Sequence, residues 1–317
     1  MKHRSSIPTF SGGFTMLGRF LLIGIAPLMF VSGCGDDSPT TPAPGTTLVL
    51  TFSRVEPLGD GFHYEGWVII DGEPVSAGKF NVSTDRDLVD MENRPIQGGE
   101  FRTGRDLTGA SAILITIEPG GEDDDEPAGT RYLAGAVVNA SATLTVGDSA
   151  ALGNDFSGAE GRYVLATPTD DNTANENSGV WFLDLFPGIP FPGLELPDLH
   201  SGWTYEGWVV VEGMEVTTGT FTDVDDADLS SPFSGDYSGP PFPGEDFLVN
   251  PPGGLTFPFD LAGATVFISV EPSPDDDPGP FALRPLKGEI PGDATDHVTY
   301  VMENNSSGFP MGTATIR

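Results

Sequence analysis

Residues 64–80 read YEGWVIIDGEPVSAGKF, and residues 205–221 read YEGWVVVEGMEVTTGTF. In each copy a strand-like apolar run leads to an Asp-Gly or Glu-Gly pair and then to a second run of similar length. Such a pair between apolar runs is typical of a two-residue hairpin turn, in which both central residues have positive φ. Alternation predicts that Glu65 and Trp67 lie on one face of the first strand and Tyr64 on the other. The repeat itself predicts two structural units of the same kind.

A second repeated block follows each hairpin. Residues 106–119 read DLTGASAILITIEP, and residues 260–272 read DLAGATVFISVEP. Runs rich in β-branched residues that end at a Glu-Pro step are typical of strands. Each run leads into an acidic loop and then into another strand-like run, near residues 132–138 or 281–290.

The remaining strand-like stretches lie within 161–183 and 297–316, and no stretch has a sustained helical period. We therefore predict an all-β chain of two tandem antiparallel β-sandwich-like domains. The first domain is expected to span residues 48–185 and the second residues 198–317. The join at residues 186–197 contains four prolines, which disfavour both a helix and a central strand there.

The chain is strongly acidic, because its 317 residues include 14 Lys+Arg and 47 Asp+Glu. Nucleic acids and anionic membrane surfaces attract positive patches, so this balance argues against both as partners. The 42 glycines and 29 prolines favour short strands and turns over helices. Cys34 is the single cysteine, which excludes an internal disulfide and a cysteine-based metal cluster.

The N-terminus reads as a processing signal. Residues 1–33 carry three basic and no acidic residues, and the apolar run 20–30 leads to Val31-Ser32-Gly33-Cys34. This ending resembles the lipobox of bacterial lipoproteins. We predict a signal peptide at 1–33, lipidation of Cys34 and a Pro/Thr-rich tether at 34–47. An ordinary secretory signal with an incidental cysteine is the alternative.

Two or three acyl chains on Cys34 would hold the protein stably on a membrane, because each buried methylene contributes about 0.8 kcal/mol. The expected location is therefore the bacterial cell envelope, facing the periplasm or the cell exterior. Gly35 follows the cysteine, where some inner-membrane lipoproteins carry aspartate, and this favours the outer membrane.

The repeated units resemble the C-terminal extracytoplasmic domain of the anti-sigma-K factor family. In the first unit the resemblance rests on Tyr64, Trp67, residues 75–78, Phe80, Leu107, Gly109, Ala110 and residues 118–121. In the second unit it rests on Tyr205, Trp208, Gly219, Phe221, Leu261, Gly263, Ala264, Glu271 and Pro272. The resemblance implies a β-sandwich outside the cytoplasm and brings no catalytic or cofactor-binding residues.

The histidines give no sign of a catalytic or metal site. His63, His200 and His297 have no second ligand at helical or strand spacing, and His63 corresponds to Thr204 in the other copy. The sequence also contains no nucleophile elbow, phosphate loop or zinc-protease motif. We therefore expect no catalytic residues and no enzyme activity.

The acidic loops are candidate calcium sites, because Ca²⁺ takes carboxylate and carbonyl oxygens. Equivalent loops carry Asp123, Asp124 and Asp125 in the first unit and Asp275, Asp276 and Asp277 in the second. The alternative is a pair of solvated hairpin tips without a ligand. Apart from calcium, no cofactor is expected.

Aromatic residues of the second unit form another candidate site. A ligand platform for a sugar or peptide would use Trp203, Tyr205, Tyr237 and Phe242. The alternative is that these rings pack a long loop onto the body. The sequence thus predicts a non-enzymatic, lipid-anchored envelope protein that binds an envelope protein or ligand, or has a structural role. A calcium- or glycan-binding surface module and a hydrolase with a hidden carboxylate pair are the alternatives.

Overall fold

The computed structural model describes residues 45–121, 126–186 and 188–317. The predicted signal peptide, Cys34 and all but the end of the tether lie outside these residues. The described residues cluster as one unit. Within the described ranges, no helix has the length and apolar character needed to cross a membrane.

Strands supply nearly all the regular structure of the described residues, so the predicted all-β class is confirmed. The strands are β1 (Thr47–Ser53), β2 (Phe62–Ile70), β3 (Glu73–Val82), β4 (Leu88–Val89), β5 (Glu100–Arg102), β6 (Ala110–Pro119), β7 (Arg131–Ala136), β8 (Ser141–Thr145), β9 (Glu160–Leu165), β10 (Gly179–Trp181), β11 (Leu183–Asp184), β12 (Phe191–Pro192), β13 (Leu194–Glu195), β14 (Trp203–Val211), β15 (Met214–Phe221), β16 (Gly244–Asp246), β17 (Thr265–Pro272), β18 (Leu286–Glu289), β19 (Thr299–Asn304) and β20 (Met311–Ile316). Short 3₁₀ helices lie at Gln97–Gly99, Glu176–Ser178 and Ser306–Gly308.

The two repeated hairpins form as predicted. β2 pairs with β3, and β14 pairs with β15. The turn residues have φ of 55° and 87° in Asp71-Gly72 and of 53° and 80° in Glu212-Gly213, as a two-residue turn of this type requires. A β-bulge shifts the pairing next to Trp67 in one copy and next to Trp208 in the other.

The strands form two large antiparallel sheets. In the first sheet the order is β4-β3-β2-β6-β7-β8-β20-β1-β5. In the second it is β15-β14-β17-β18-β19-β9-β10-β16, with β13 paired to β9. A small third sheet joins β11 to β12. The run β3-β2-β6-β7 of the first sheet corresponds strand for strand to β15-β14-β17-β18 of the second.

Strand exchange links the two sheets across the predicted join at 186–197. The C-terminal strand β20 lies between β8 and β1 in the first sheet, with Leu48 opposite Ile316. Conversely, β9 and β10 precede the join but pair within the second sheet, where Val164 lies opposite Thr299. Each sheet therefore contains strands from both sides of the join.

The apolar faces of the two sheets share one core. Tyr64 stacks on Tyr132 with ring centroids 5.9 Å apart, and Tyr132 meets Trp203 at 6.1 Å and Phe281 at 5.4 Å. All four rings are buried. Since Tyr64 and Tyr132 belong to the first sheet and Trp203 to the second, this aromatic column fixes one sheet against the other.

The two ends of each sheet approach one another in a sandwich- or barrel-like arrangement. In the first sheet Phe101 of β5 covers Gly78 of β3, and a Cβ on this glycine would lie 3.3 Å from the ring. In the second sheet Asp228 covers Gly219 of β15, where a Cβ would lie 2.8 Å from that of the aspartate. Asp228 also reaches Gly244 of β16. We call Gly78 and Phe101 the first seam, and Gly219, Asp228 and Gly244 the second seam.

Candidate functional site

A chain of polar side chains crosses β2 and β6 on the face that bears Trp67. The indole Nε1 of Trp67 donates to Thr116 Oγ1 at 2.9 Å, and the Thr116 hydroxyl donates to Glu118. Glu118 Oε1 also accepts the backbone N–H of Ala128 at 2.9 Å. The buried glutamate therefore holds the far end of the acidic loop against the strand that precedes it. We call this chain of hydrogen bonds the first relay.

The second sheet repeats this arrangement in a second relay. Trp208 Nε1 donates to Ser269 Oγ at 2.8 Å, Ser269 donates to Glu271, and Glu271 accepts the N–H of Phe281 at 3.0 Å. Both glutamates and both hydroxyl residues are buried. The repeat in sequence is thus also a repeat of buried hydrogen bonds, and these satisfy carboxylates that would otherwise be costly to bury.

A second pair of buried glutamates lies one strand away. Ser76 donates to Glu65 in the first sheet, and Thr217 donates to Glu206 in the second. The cross-strand neighbours differ, because Lys79 lies opposite Glu65 whereas Thr220 lies opposite Glu206. Directly opposite residues have Cβ atoms about 5 Å apart, so only the first sheet places a cation beside its glutamate.

Burial raises the pKa of two glutamates in the second half, Glu206 and Glu271. It raises the pKa of Glu206 to about 7, against the lowering effect of the Thr217 hydrogen bond. It raises the pKa of Glu271 to about 8, against the hydrogen bonds from Ser269 and Phe281. Cations are sparse around these glutamates in the sequence, since no lysine or arginine occurs between Arg162 and Arg284. A large fraction of these two glutamates is therefore protonated near neutral pH.

The second seam and its neighbours add three further acids, of which Glu245 and Asp246 are buried and Asp228 is half-buried. Asp228 Oδ2 accepts the N–H of Gly244 at 2.8 Å. Burial raises the pKa of Asp228 to about 8 and that of Glu245 to about 7. Asp246 accepts the Thr169 N–H at 2.7 Å and Trp181 Nε1 at 2.8 Å, and burial raises its pKa too.

A cleft of about 340 Å³ opens where the loop before β2 meets the loop after β17. We call it the acidic cleft, and its lining includes Glu56, Leu58, Glu215, Asp276, Asp277 and Phe281. Asp276 Oδ2 accepts the N–H of Gly59 at 3.0 Å, which ties the two loops together. Arg284 lies 3.1 Å from Glu215, and Arg86 lies 3.7 Å from Glu56. With two arginines near four carboxylates, the cleft keeps an excess of negative charge.

The structure describes three of the six predicted calcium ligands. Asp123, Asp124 and Asp125 lie outside the described residues. Asp276 lines the acidic cleft, and Asp275 and Asp277 accept the N–H groups of Asp277 and Gly279 at 3.2 and 2.8 Å. Among the described residues, no group of three or more His, Cys, Asp or Glu side chains is placed to hold a metal ion.

The structure does not bring the predicted aromatic platform together. Trp203 and Tyr205 are 4% and 1% exposed, and Tyr205 stacks on Phe221 at 5.4 Å within the core. Phe242 belongs to a separate buried cluster with Trp181. Tyr237 is 53% exposed and donates to Asp171 at 2.7 Å. Trp203 and Tyr205 are therefore part of the packing that joins the sheets.

The three histidines outside the signal peptide lie apart. His63 is buried in β2, whereas His297 is exposed with its Nδ1 2.7 Å from Asp296 Oδ1. His200 Nε2 lies beside Gly153, 3.3 Å from where a Cβ on that glycine would be. They belong to three different surroundings, and none of the described contacts joins one to another.

Sequence reasoning missed the relays, the second seam and the acidic cleft. A signal for the relays was available, because Glu118 and Glu271 stand at matched positions two residues after a hydroxyl residue. A signal for the raised pKa values was the absence of lysine and arginine between Arg162 and Arg284. No local signal marked the cleft, since its two loops are far apart in sequence.

Comparison with known proteins supports the first half of the resemblance. Residues 40–131 match the family model described as Anti-sigma-K factor rskA, C-terminal. This range includes β1 to β6 and the whole of the first relay, whereas the second relay lies beyond it. No curated protein and no solved structure matches the chain. The resemblance of residues 205–272 to the same family stays a prediction.

Proposed function

We propose that this chain is a lipid-anchored protein of the bacterial cell envelope that acts by binding a partner and not by catalysis. The partner would be an envelope protein that presents a basic segment to the acidic cleft. The observation that carries this proposal is the cleft itself, which Asp276 and Asp277 of one loop line together with Glu56 of another.

The match over residues 40–131 supports a regulatory or sensing role outside the cytoplasm, because it is to the C-terminal domain of an anti-sigma factor family. The sequence ending at Cys34 supports the lipid anchor. The matched hairpins and relays support an origin of the body by duplication. In this proposal the buried glutamates have a structural role, since each is bonded to a hydroxyl or a backbone N–H.

The cleft fits a lysine or arginine side chain better than an anion. Glu56 and Glu215 already lie near arginines, whereas the Asp277 carboxylate accepts the backbone N–H of Gly279 in its own loop and forms no ion pair among the described residues. Leu58 lines the same cleft, is half-buried and offers apolar area for the stem of a long basic side chain. Charge complementarity of this kind steers association and weakens as salt is added.

Titration with a lysine-rich peptide tests the proposal. The double variant Asp276→Asn/Asp277→Asn removes two negative charges from the cleft and keeps acceptor oxygens for the bond to Gly59. At about 0.5–1 kcal/mol for each exposed pair, it is expected to weaken binding about fivefold or more. The matched control Asp225→Asn/Asp226→Asn removes two charges from an exposed loop and is expected to bind like the wild type.

Equal weakening in both double variants would mean attraction by net charge alone and would contradict a specific cleft. A calcium arm of the same titration, after EDTA treatment, tests Asp275, Asp276 and Asp277 as cation ligands. If calcium produces binding heat with the wild type and none with Asp276→Asn/Asp277→Asn, the cleft is a cation site and not a peptide site.

The anchor is tested separately in cells. Incorporation of labelled fatty acid into the wild type and its loss in Cys34→Ala are the expected results. Processing without label, insensitive to an inhibitor of lipoprotein signal peptidase, would instead indicate an ordinary secretory signal.

A further inference from the structure

We propose that the second seam is an acid-held latch: it closes the second sheet when its carboxyl groups are protonated and opens as the pH rises above neutrality. The latch consists of Asp228, Glu206 and Glu245 together with the glycines of the seam. The proposal concerns the conformation of the second half and is independent of what binds the acidic cleft.

The geometry places Asp228 between two strands that have no ladder of hydrogen bonds to each other. Its Oδ2 accepts the N–H of Gly244 on β16, while the next residue, Leu229, donates to Thr220 O on β15 at 2.8 Å. The side chain lies directly over Gly219, which has no Cβ to keep it away. Residues 228 and 229 therefore connect the two edge strands of the second sheet.

The second oxygen of the Asp228 carboxyl group, Oδ1, lies where a negative charge is costly. Asp228 Oδ1 is buried, and among the described residues it has no hydrogen-bond partner. A neutral carboxyl group is tolerated in such a place far better than a carboxylate, because a buried charge needs a partner. Ionisation therefore favours any arrangement that exposes the group to water.

The charged groups that act on Asp228 are acidic. They are Glu245 on β16 and Glu206 on β14, and both raise the pKa of Asp228. No lysine or arginine occurs in these elements, or anywhere between Arg162 and Arg284. Negative charge that develops at the seam is thus repelled by its neighbours.

The first seam provides an internal comparison. There, the place of Asp228 over the equivalent glycine is taken by Phe101, which also packs edge-on against Phe80 at 5.5 Å. An apolar closure does not titrate. The two halves of the molecule are therefore expected to respond differently to pH.

The sign of the effect follows from the raised pKa values. In the closed state the pKa of Asp228 is about 8, and those of Glu206 and Glu245 are about 7. In the open state they return towards 3.8 for the aspartate and 4.5 for the glutamates. The closed state is favoured fully below about pH 4, loses this advantage as the pH rises, and has lost it above about pH 8.

Amide hydrogen exchange of the intact protein between pH 5 and 9 tests the latch. After correction for intrinsic exchange rates, protection of residues 219–230 and 244–246 is expected to fall at least about tenfold between pH 5 and 8. The reason is that, while a carboxyl group is protonated only in the closed state, the closing equilibrium changes about tenfold for each pH unit. Protection around Gly78 and Phe101 is expected to stay constant. Asp228→Asn is expected to retain more of the protection of the second seam at pH 8 than the wild type does, because Glu206 and Glu245 are then the only latch groups left to ionise.

Constant protection of the second seam across this range in the wild type would overturn the proposal. The same conclusion follows if both seams lose protection together, because that is global destabilisation. Should Asp228→Asn fail to fold, the comparison of the two seams within the wild type still decides the question.

Discussion

The cross-strand neighbour of Glu206 offers a direct test of why the second half carries raised pKa values. Thr220→Lys places a cation opposite Glu206, as Lys79 lies opposite Glu65 in the first sheet. The rise of the Glu206 pKa from 4.5 to about 7 corresponds to about 3 kcal/mol at alkaline pH, and this is the most that a partner could recover. Because Thr220 is half-buried and the new side chain must be ordered, we expect a gain of about 1–2 kcal/mol.

The gain in the free energy of unfolding of Thr220→Lys is expected to depend on pH. At pH 8.5 Glu206 is ionised and the new lysine stabilises it, so the unfolding temperature is expected to rise by about 2–6 °C for a body of this size. At pH 4 Glu206 is protonated in the folded state and the variant is expected to match the wild type. Thermal unfolding followed by circular dichroism at the two pH values measures this difference.

Thr143→Lys is the matched control for adding a positive charge to an acidic protein. Thr143 is exposed on β8 and lies opposite Thr313, so no carboxylate faces the new lysine across that pair. A gain in Thr220→Lys no larger than in Thr143→Lys, or the same gain at pH 4 and 8.5, would refute the explanation of the raised Glu206 pKa as burial without a partner.

Three further substitutions test other features. Ser269→Ala removes the acceptor of Trp208 Nε1 and one donor to Glu271. It is expected to lower the free energy of unfolding, measured in urea, by about 2–3 kcal/mol. Ser141 is exposed on β8, and Ser141→Ala is expected to lower it by less than about 0.5 kcal/mol. Gly219→Ala places a Cβ 2.7 Å from Ser230 O at a φ of 115°, so the free energy of unfolding is expected to fall by at least about 2 kcal/mol. Gly292→Ala, where a Cβ would meet open space, is the control. Equal losses of stability in the two variants would contradict the close packing of the seam. Tyr132→Phe removes a hydroxyl that is buried without a partner among the described residues, so stability is expected to stay the same or rise by up to about 1 kcal/mol, and a clear loss would reveal a bond to water.

The parts of the fold that local patterns determine could be predicted from the sequence. Asp71-Gly72 and Glu212-Gly213 specify their turns through backbone conformation, and the strands on either side follow from alternation. The runs that form β6 and β17 are equally clear, since β-branched residues continue up to the Glu-Pro step. In each case the determining interaction lies within a few residues of the pattern.

The pairing of distant strands could not be predicted in this way. Nothing near residues 311–316 indicates that β20 lies between β1 and β8, because edge pairing depends on which strands are left without partners. The burial of Tyr205, in contrast, could be predicted from the sequence. Its counterpart Tyr64 lies in a strand whose two faces are both partly apolar. The same pattern around Tyr205 indicates a position in the core and not in an exposed ligand platform.

The position of β20 has a consequence for a chain that emerges from its N-terminus first. Thr47 and Arg317 exchange two backbone hydrogen bonds, of 3.0 and 2.9 Å, so the beginning and the end of the body close on each other. Until residues 311–316 have been synthesised, no strand is available to insert between β1 and β8, and each of these strands keeps one side without a neighbour. The first sheet is therefore completed only after all the other described strands have been made.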